Sequence, residues 1–372
     1  MTIKNSIDTT KFGVFIGRFN PLHLGHLSII EQAIKDNDKV IIVIGSHKST
    51  INPKKLFTTS EVQEMITAGV SDPEKIIFAS VRDNLYSDNE WVLSVRKQIN
   101  KIIYAPNSKT KNIVRLYGHN KDQTSQYLKW FPHYEMIECQ PHHISETLIH
   151  ATDIRNTLYT EWRKCVNGLL NISTFIFDIR SKLVPIMGDA AFNKMAEILS
   201  RDNGERLSWV ANEYHSYQQY KSSWKNAPFD PTFVTGDAVV FCNSHILLVR
   251  RKKSPGLGNY ALPGGFLNAD ETIRNCILRE LREETKIDVP PGKVNNSLRE
   301  IVVFDAPGRS QRGRTITNAG LIVLDEVKLP KVKGSDDAEK AEWVPLDMLP
   351  IFEDQFFEDH YHIITMMKGK LN

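Results

Sequence analysis

Cysteine is scarce in this chain. Only Cys139, Cys165, Cys242 and Cys276 occur among 372 residues, and no two form a Cys-x-x-Cys pair. Spacing so wide argues against a disulfide framework or a cysteine zinc site, and reads as reduced thiols in a cytosolic protein. An excess of one charge is missing as well: 47 basic against 44 acidic side chains leave a net +3, spread along the chain. That gives no electrostatic footprint for nucleic acid, so no such partner is expected. Long apolar runs are also absent. The longest, such as residues 40–44, have strand length and are far too short to span a bilayer. The first ten residues carry no apolar core of a signal peptide. No membrane partner is expected, and the cytoplasm is the expected location. There is no internal repeat and no low-complexity tract. A length of 372 residues suggests two domains and leaves room for a third.

What the chain does contain is punctuated alternation. Short apolar runs at 12–16, 40–44, 76–79, 113–117 and 134–138 read as strands. Between them, residues 24–34, 59–68, 90–102 and 125–131 have helical character, the second capped by Thr59 or Ser60. Strands alternating with helices predict an open parallel α/β sheet. From 162 to 224 the strand signals mostly stop, and 190–199 and 207–220 read as amphipathic helices of a connector. The run Asn226-Ala227-Pro228-Phe229-Asp230-Pro231 marks a boundary. Beyond it, strands are expected at 235–241 and 245–250 around an Asn243-Ser244 turn, then at 298–304 and 319–327, with a last segment from Trp343. The predicted parts are a first domain over 1–161, a helical connector over 162–228 and a second domain over 229–372.

Residues 265–287 are the richest stretch. Glu280, Glu283 and Glu284 stand at i, i+3 and i+4 in a helix-forming segment, on one face. Bare carboxylates so placed repel each other; a hard divalent cation turns the repulsion into a site. The turn Pro263-Gly264-Gly265 lets backbone approach the same cation. A solvated acidic face is the plain alternative, but the glycine turn, Arg279 and the long fixed spacing agree against it. The pattern Gly265-x5-Glu271-x7-Arg279-Glu280-Leu281-x-Glu283-Glu284, with Ile287, resembles the Nudix box of diphosphate hydrolases; Lys286 departs where the family has Gly. The resemblance implies an α/β/α sandwich and Mg²⁺, with Mn²⁺ as a substitute. Gly265, Glu280, Glu283 and Glu284 are then the metal set and the three glutamates the catalytic groups. Glu280 and Glu284 are the leading ligands. Glu283 is a third ligand or orients water, Arg279 orients a glutamate, and Glu271 is a structural partner.

A second motif opens the first helix: Gly17-Arg18-Phe19-Asn20-Pro21-Leu22-His23-Leu24-Gly25-His26. Two histidines three apart at a helix start face a place where backbone N–H groups favour anions. Arg18 adds a fork-shaped cation. This resembles the His-x-Gly-His signature of the nucleotidylyltransferase superfamily, whose domain is Rossmann-like with a parallel sheet. Residues 149–155 resemble its phosphate-holding helix start, with His150 in place of the usual Ser and Thr152 and Arg155 retained. Gly45-Ser46-His47, Asn52-Pro53, Phe57-Thr58, residues 86–91 and residues 118–122 resemble the nicotinamide mononucleotide (NMN) adenylyltransferases. The likeness implies Arg18, His23 and His26 as catalytic residues. It implies Gly17, Phe19, Gly25, Asn89, Trp91, Gly118, Asp122, Thr152 and Arg155 as nucleotide contacts. For Trp91 core packing stays open, and for Lys121 and Asp122 a surface ion pair.

Outside the box, Phe304-Asp305-Ala306-Pro307-Gly308-Arg309-Ser310-Gln311-Arg312-Gly313-Arg314 places three arginines within six residues. They suit phosphates or a terminal ribose, and a solvated basic loop is the alternative. The stretch resembles the substrate loop of ADP-ribose pyrophosphatases, which implies Phe304, Arg309, Arg312 and Arg314 as contacts. Asp336, Asp337 and Glu339 read as an exposed acidic loop that could lend one more ligand or base. Together the halves resemble bifunctional NMN adenylyltransferase/Nudix hydrolases. The substrates implied are ATP, NMN and ADP-ribose, and a homo-oligomer is compatible with the pattern. Two other readings stand beside it. One is an adenylyltransferase for phosphopantetheine joined to a housecleaning hydrolase. The other is a Nudix-like ADP-ribose sensor, against which all box glutamates are present.

Overall fold

The computed structural model describes residues 9–104, 111–119, 123–140, 143–144, 147–167, 171–335 and 338–371. The chain divides into two compact units, residues 1–211 and 212–372.

The first unit is built on β1 (Thr9–Gly17), α1 (Leu24–Asp36), β2 (Lys39–Ile44), α2 (Thr59–Gly69), β3 (Ile76–Ser80), α3 (Asp88–Ile103), β4 (Lys111–Gly118) and β5 (Glu135–Glu138). The strands form one sheet in the order β3-β2-β1-β4-β5, and every pairing is parallel. Val40 to Ile44 of β2 are all buried, as a central parallel strand covered on both faces requires. The chain leaves β1 toward β2 on one side and reaches β4 on the other. Such a switch point opens a crevice at the carboxyl ends of the strands, and Gly17 and Gly118 end β1 and β4 there.

The cap of α2 is Thr58, one residue before the expected Thr59. Its side chain accepts from the Glu61 amide, and Glu61 reaches back to the Thr58 amide in a capping box. Where a helix was expected over 125–131, residues 123–130 form a 3₁₀ segment. A short hairpin of β6 (His143–Ile144) and β7 (Thr147–Leu148) leads into α4 (Ala151–Asn167). Then come α5 (Ile172–Met187), α6 (Asp189–Ser200) and α7 (Glu205–Ser222). Sequence periodicity missed α5, which carries Pro185 in its last turn. By compactness, α4, α5 and α6 fall in the first unit, and the division lies within α7.

The second unit contains β8 (Thr232–Cys242), β9 (His245–Arg251), β10 (Tyr260–Ala261), β11 (Gly264–Phe266), α8 (Ile273–Thr285), α9 (Pro291–Asn296), β12 (Leu298–Phe304), β13 (Arg314–Val323), β14 (Ala338–Pro345) and α10 (His360–Lys368). Its mixed sheet runs β10-β9-β8-β13-β12, with β11 on β8 and β14 on β9. The β8–β9 turn is Asn243-Ser244, both at positive φ, as a two-residue hairpin requires. β13 begins at Arg314, five residues before the expected start, so the arginine loop feeds directly into a strand. Glu339 lies in β14 and not in a loop. α8 buries Cys276, Ile277, Leu278 and Leu281 against the sheet. That leaves its glutamates on the other side, over β11. Among the described residues no helix is long and apolar enough to cross a membrane.

Candidate functional site

The first cleft is assembled around the turn from β1 to α1. Asn20 is buried and pins that turn: its Nδ2 donates to the Phe57 carbonyl at 2.7 Å, and its Oδ1 accepts the Leu56 and Phe57 amides. His23 is the N-cap residue of α1, and Gly25 lies in the first turn between the two histidines. The rings of His23 and His26 stack with centroids 3.7 Å apart. Phe19, at φ 50 and 1% exposed, sets its ring edge-on to His26 at 5.0 Å. Phe19, expected as a nucleotide contact, is buried and props the His26 ring.

Arg18 is mostly exposed, and its Nη2 lies 3.3 Å from Asp83 Oδ2. Asp83 also accepts the Ser46 amide and hydroxyl, so one carboxylate ties the segments after β1, β2 and β3 together. Arg155 is more committed than expected. It donates from Nε to the Pro53 carbonyl at 3.1 Å, from Nη1 to the Asn20 carbonyl at 2.5 Å and from Nη2 to Thr152 Oγ1 at 3.0 Å. It clips the start of α4 to the histidine turn, and burial lowers its pKa. Thr152 is exposed beside it. Trp91 is half-buried and packs against Tyr127, Trp130 and Phe131 at centroid distances of 5.8–6.3 Å. Asn89, two residues before it on α3, is exposed. Asp122 and Lys121 lie outside the described residues, as do Asp336 and Asp337.

The second cleft lies between the start of α10, the loop before α8 and strand β8. Arg279 is its hub. It grips Glu271 with Nε and Nη2 at 2.9 and 2.6 Å, and donates from Nη1 to Glu280 at 2.7 Å and to Glu283 at 2.9 Å. This grip holds the Glu271 carboxyl down to about 2. Glu283 points outward, half-exposed, whereas Glu280 and Glu284 turn inward. Glu284 accepts the Gly264 amide at 3.1 Å, and burial pushes its pKa up to about 8. Burial raises Glu280 too. Asp237 of β8, buried and pushed up to about 6, faces Gly264 from the opposite side. A Cβ on Gly264 would stand 2.0 Å from Asp237 Oδ1, and one on Gly265 would stand 2.3 Å from Glu280 Oε1.

These residues suit a divalent cation. Buried carboxylates with raised pKa values are short of positive charge, and hard oxygen donors line both sides of a backbone no side chain could share. The four-residue set expected from the box is not gathered as one cage: among the described residues no three acidic, histidine or cysteine side chains cluster for a metal. Arg279 draws Glu283 away. One or two carboxylates, with waters and substrate phosphates completing the shell, commonly hold a catalytic Mg²⁺.

Two of the four expected substrate contacts are buried. Phe304 is 1% exposed, inside the core. Arg309 is buried in a bidentate pair with Asp359, at 2.9 and 2.6 Å, and donates to Thr317 at 3.0 Å. A guanidinium so occupied braces the cleft. Arg314 donates to the Asp305 carbonyl at the mouth of the loop. Arg312 alone of the three sets its guanidinium over aromatic rings, those of Phe266 and Phe357, while lining the cleft. Sequence reading missed Asp237, Arg251, His360 and Phe266. Asp237 had a signal: a lone carboxylate in an apolar strand run. His360 takes the Leu262 amide on Nδ1, and burial keeps its pKa well below the ordinary value.

Comparison with known proteins matches a family to each unit. A NUDIX domain family matches residues 232–366, and a cytidylyltransferase-like family matches residues 14–156. A crystal structure of a bifunctional NMN adenylyltransferase/ADP ribose pyrophosphatase from Francisella tularensis, complexed with AMP and a manganese ion, superposes with a TM-score of 0.83. It is 33% identical, and the match covers 98% of this chain and 100% of that one. The chain belongs to this bifunctional family. Each half also has its own relatives. A nicotinamide/nicotinic acid mononucleotide adenylyltransferase from Acinetobacter baylyi is 38% identical over 148 residues, 39% of this chain and 74% of the relative. An ADP-ribose pyrophosphatase from Methanocaldococcus jannaschii is 36% identical over 117 residues, 32% of this chain and 64% of the relative. In this family frame Lys286 stands out. It ends α8 in the left-handed conformation (φ 44, ψ 38), the backbone that glycine adopts most easily.

Proposed function

We infer that the first unit transfers the adenylyl group of ATP to NMN, giving NAD and pyrophosphate. The second unit hydrolyses ADP-ribose to AMP and ribose 5-phosphate. The observation that carries this reading is the end-to-end likeness to the Francisella tularensis bifunctional protein, with both motifs standing in matching folds. In the first cleft, His23, His26 and Arg18 stabilise the triphosphate while the NMN phosphate attacks its α-phosphorus and pyrophosphate leaves. Positioning and charge neutralisation suffice, with no protein nucleophile. Asp83 aims Arg18, and Phe19 holds the His26 ring.

In the second cleft, Glu280, Glu284 and the Gly265 backbone would hold a divalent cation such as Mg²⁺. The cation supplies two things when bound: it lowers the pKa of a water molecule and offsets diphosphate charge. Arg279 fixes Glu280, and Asp237 closes the other side of the glycine turn. The location consistent with this chemistry is the cytoplasm. The test uses the full-length protein with Mg²⁺. ATP and NMN should yield NAD, and phosphopantetheine in place of NMN should not react. ADP-ribose should be split faster than NADH, diadenosine polyphosphates or nucleoside triphosphates. No NAD formed would sink the reading of the first unit, and no AMP from ADP-ribose that of the second.

A further inference from the structure

Three consecutive residues at the start of α10 are spent on three different parts of the second cleft. Glu358, in the left-handed region at φ 47, accepts the Ser310 hydroxyl at 2.7 Å and the Gln311 amide at 3.1 Å. Asp359 takes the Arg309 guanidinium. His360 accepts the Leu262 amide on Nδ1 at 2.9 Å, and its ring, 6% exposed, stands among the residues that line the cavity. Leu262 leads into the glycine turn. Its amide is buried and must find an acceptor. The polar groups that follow are held as well: Ala238 donates to the Pro263 carbonyl at 2.8 Å, and the Gly264 amide goes to Glu284. The turn that sets Gly264 against Asp237 and Gly265 against Glu280 is thus anchored at its start by a histidine 98 positions later.

This hydrogen bond fixes the state of the ring. An amide can only donate, so Nδ1 keeps its lone pair, and the neutral ring carries its proton on Nε2. Burial and the cations of Arg309, Arg251 and Arg312 all oppose a second proton. The acidic groups nearby do not reverse this. Glu358 and Asp359 are engaged by the arginine loop, and burial pushes Asp237 and Glu284 toward their neutral forms. Histidine is the commonest general base, but here one ring nitrogen is committed and the other already holds its proton. We propose that His360 is a positioning residue: it pins the Leu262 amide and so sets the glycine turn against Glu280 and Glu284. This rests on reading the cleft as a diphosphate hydrolase and adds what holds its backbone in place.

The test uses full-length protein. His360→Asn puts a carbonyl oxygen where Nδ1 stands, so the pin survives; His360→Leu has no acceptor. Melting confirms the fold, and NAD formation is the control. His360→Asn should keep kcat for ADP-ribose and Mn²⁺ affinity within about threefold of wild type, since the amide still has its acceptor. His360→Leu should lose roughly 10–100-fold in turnover, in Mn²⁺ affinity or in both, as when an outer partner of a metal site is removed. Hydrogen exchange reads the pin without turnover: the Leu262 amide should stay protected in His360→Asn and exchange faster in His360→Leu. Should His360→Leu not fold, His360→Gln replaces it, because glutamine carries its carbonyl out to the place of Nε2. An asparagine variant as impaired as the comparison variant overturns the proposal. So does a comparison variant with wild-type turnover and Mn²⁺ affinity. If the wild type does not split ADP-ribose, the reading of the cleft fails, and the pin is judged by Mn²⁺ affinity and Leu262 exchange alone. Rescue of both by asparagine supports it, and no rescue overturns it.

Discussion

Glu280 Oε1 occupies the place where a side chain on Gly265 would begin: a methyl carbon there would stand 2.3 Å away. The glycine and the glutamate therefore determine each other. Gly265→Ala must push Glu280 off the position that Arg279 gives it. The fold should survive, since one added methyl costs about 1–3 kcal/mol. Hydrolysis should not, because a shift near 1 Å at such a group costs about 10²-fold. Titration with Mn²⁺ should show weaker binding, and NAD synthesis should be untouched. Unchanged hydrolysis would mean that Glu280 can do its work from elsewhere.

Separate sites predict separable losses. Glu284→Gln should abolish ADP-ribose hydrolysis and leave NAD formation intact, because Glu284 faces the Gly264 amide inside the second cleft. His26→Ala should do the reverse, removing a ring stacked on His23. Both rates are measured on one preparation of each variant, with melting confirming the fold. A folded variant that loses both activities would refute two independent sites.

Lys286 carries a local strain that the rest of α8 does not share. A lysine held at φ 44 pays roughly 1 kcal/mol that glycine avoids. Lys286→Gly should raise the melting temperature of the second unit by a few degrees and leave hydrolysis unchanged, since the backbone is already in place. A lower melting temperature would show that the Lys286 side chain makes a contact worth more than the strain.

The sequence made the two clefts legible because each motif spans fixed spacings on one element. The glutamates at i, i+3 and i+4 had to share a face of α8, and the histidines had to sit at the start of α1. What spacing does not show is where a long side chain spends its donors. Arg309 and Arg312 look alike in the chain and both line the cleft, yet Arg309 is buried in a pair with Asp359, fifty positions later, while Arg312 lies over the rings of Phe266 and Phe357. Phe19 looked like part of a binding motif, but it is buried and held at a positive φ that no pattern announces. The α5 helix was lost to Pro185, which the last turn tolerates.

The Arg309–Asp359 pair sets a bracing role for Arg309 against the expected substrate contact. Its two side chains are 2% and 1% exposed, so removing one partner strands a charge in the core. Arg309→Met should destabilise the second unit by about 3–5 kcal/mol, the usual effect of breaking a buried pair. Arg309→Met with Asp359→Leu together should recover most of that loss. If Arg309→Met instead melts normally and only raises KM for ADP-ribose, Arg309 is a substrate contact after all.

The Glu61–Arg206 pair in the first unit makes stability depend on pH. Burial pushes the Glu61 carboxyl up, but bonds from Arg206 at 2.6 Å and from the Thr58 amide at 2.8 Å outweigh it and hold the pKa below the ordinary 4.5. A carboxylate depressed by folding stabilises the native state above its unfolded pKa. That contribution fades as pH falls from about 4.5 through the lower folded value. The first unit should therefore lose stability over that acid range, and denaturant melts at pH 7 and at pH 3.5 should differ more in wild type than in Glu61→Gln. The amide cannot titrate, yet it can still accept from the Thr58 amide, so the cap persists while the pH dependence weakens. Equal pH dependence in both proteins would assign the acid sensitivity of this unit to other carboxylates.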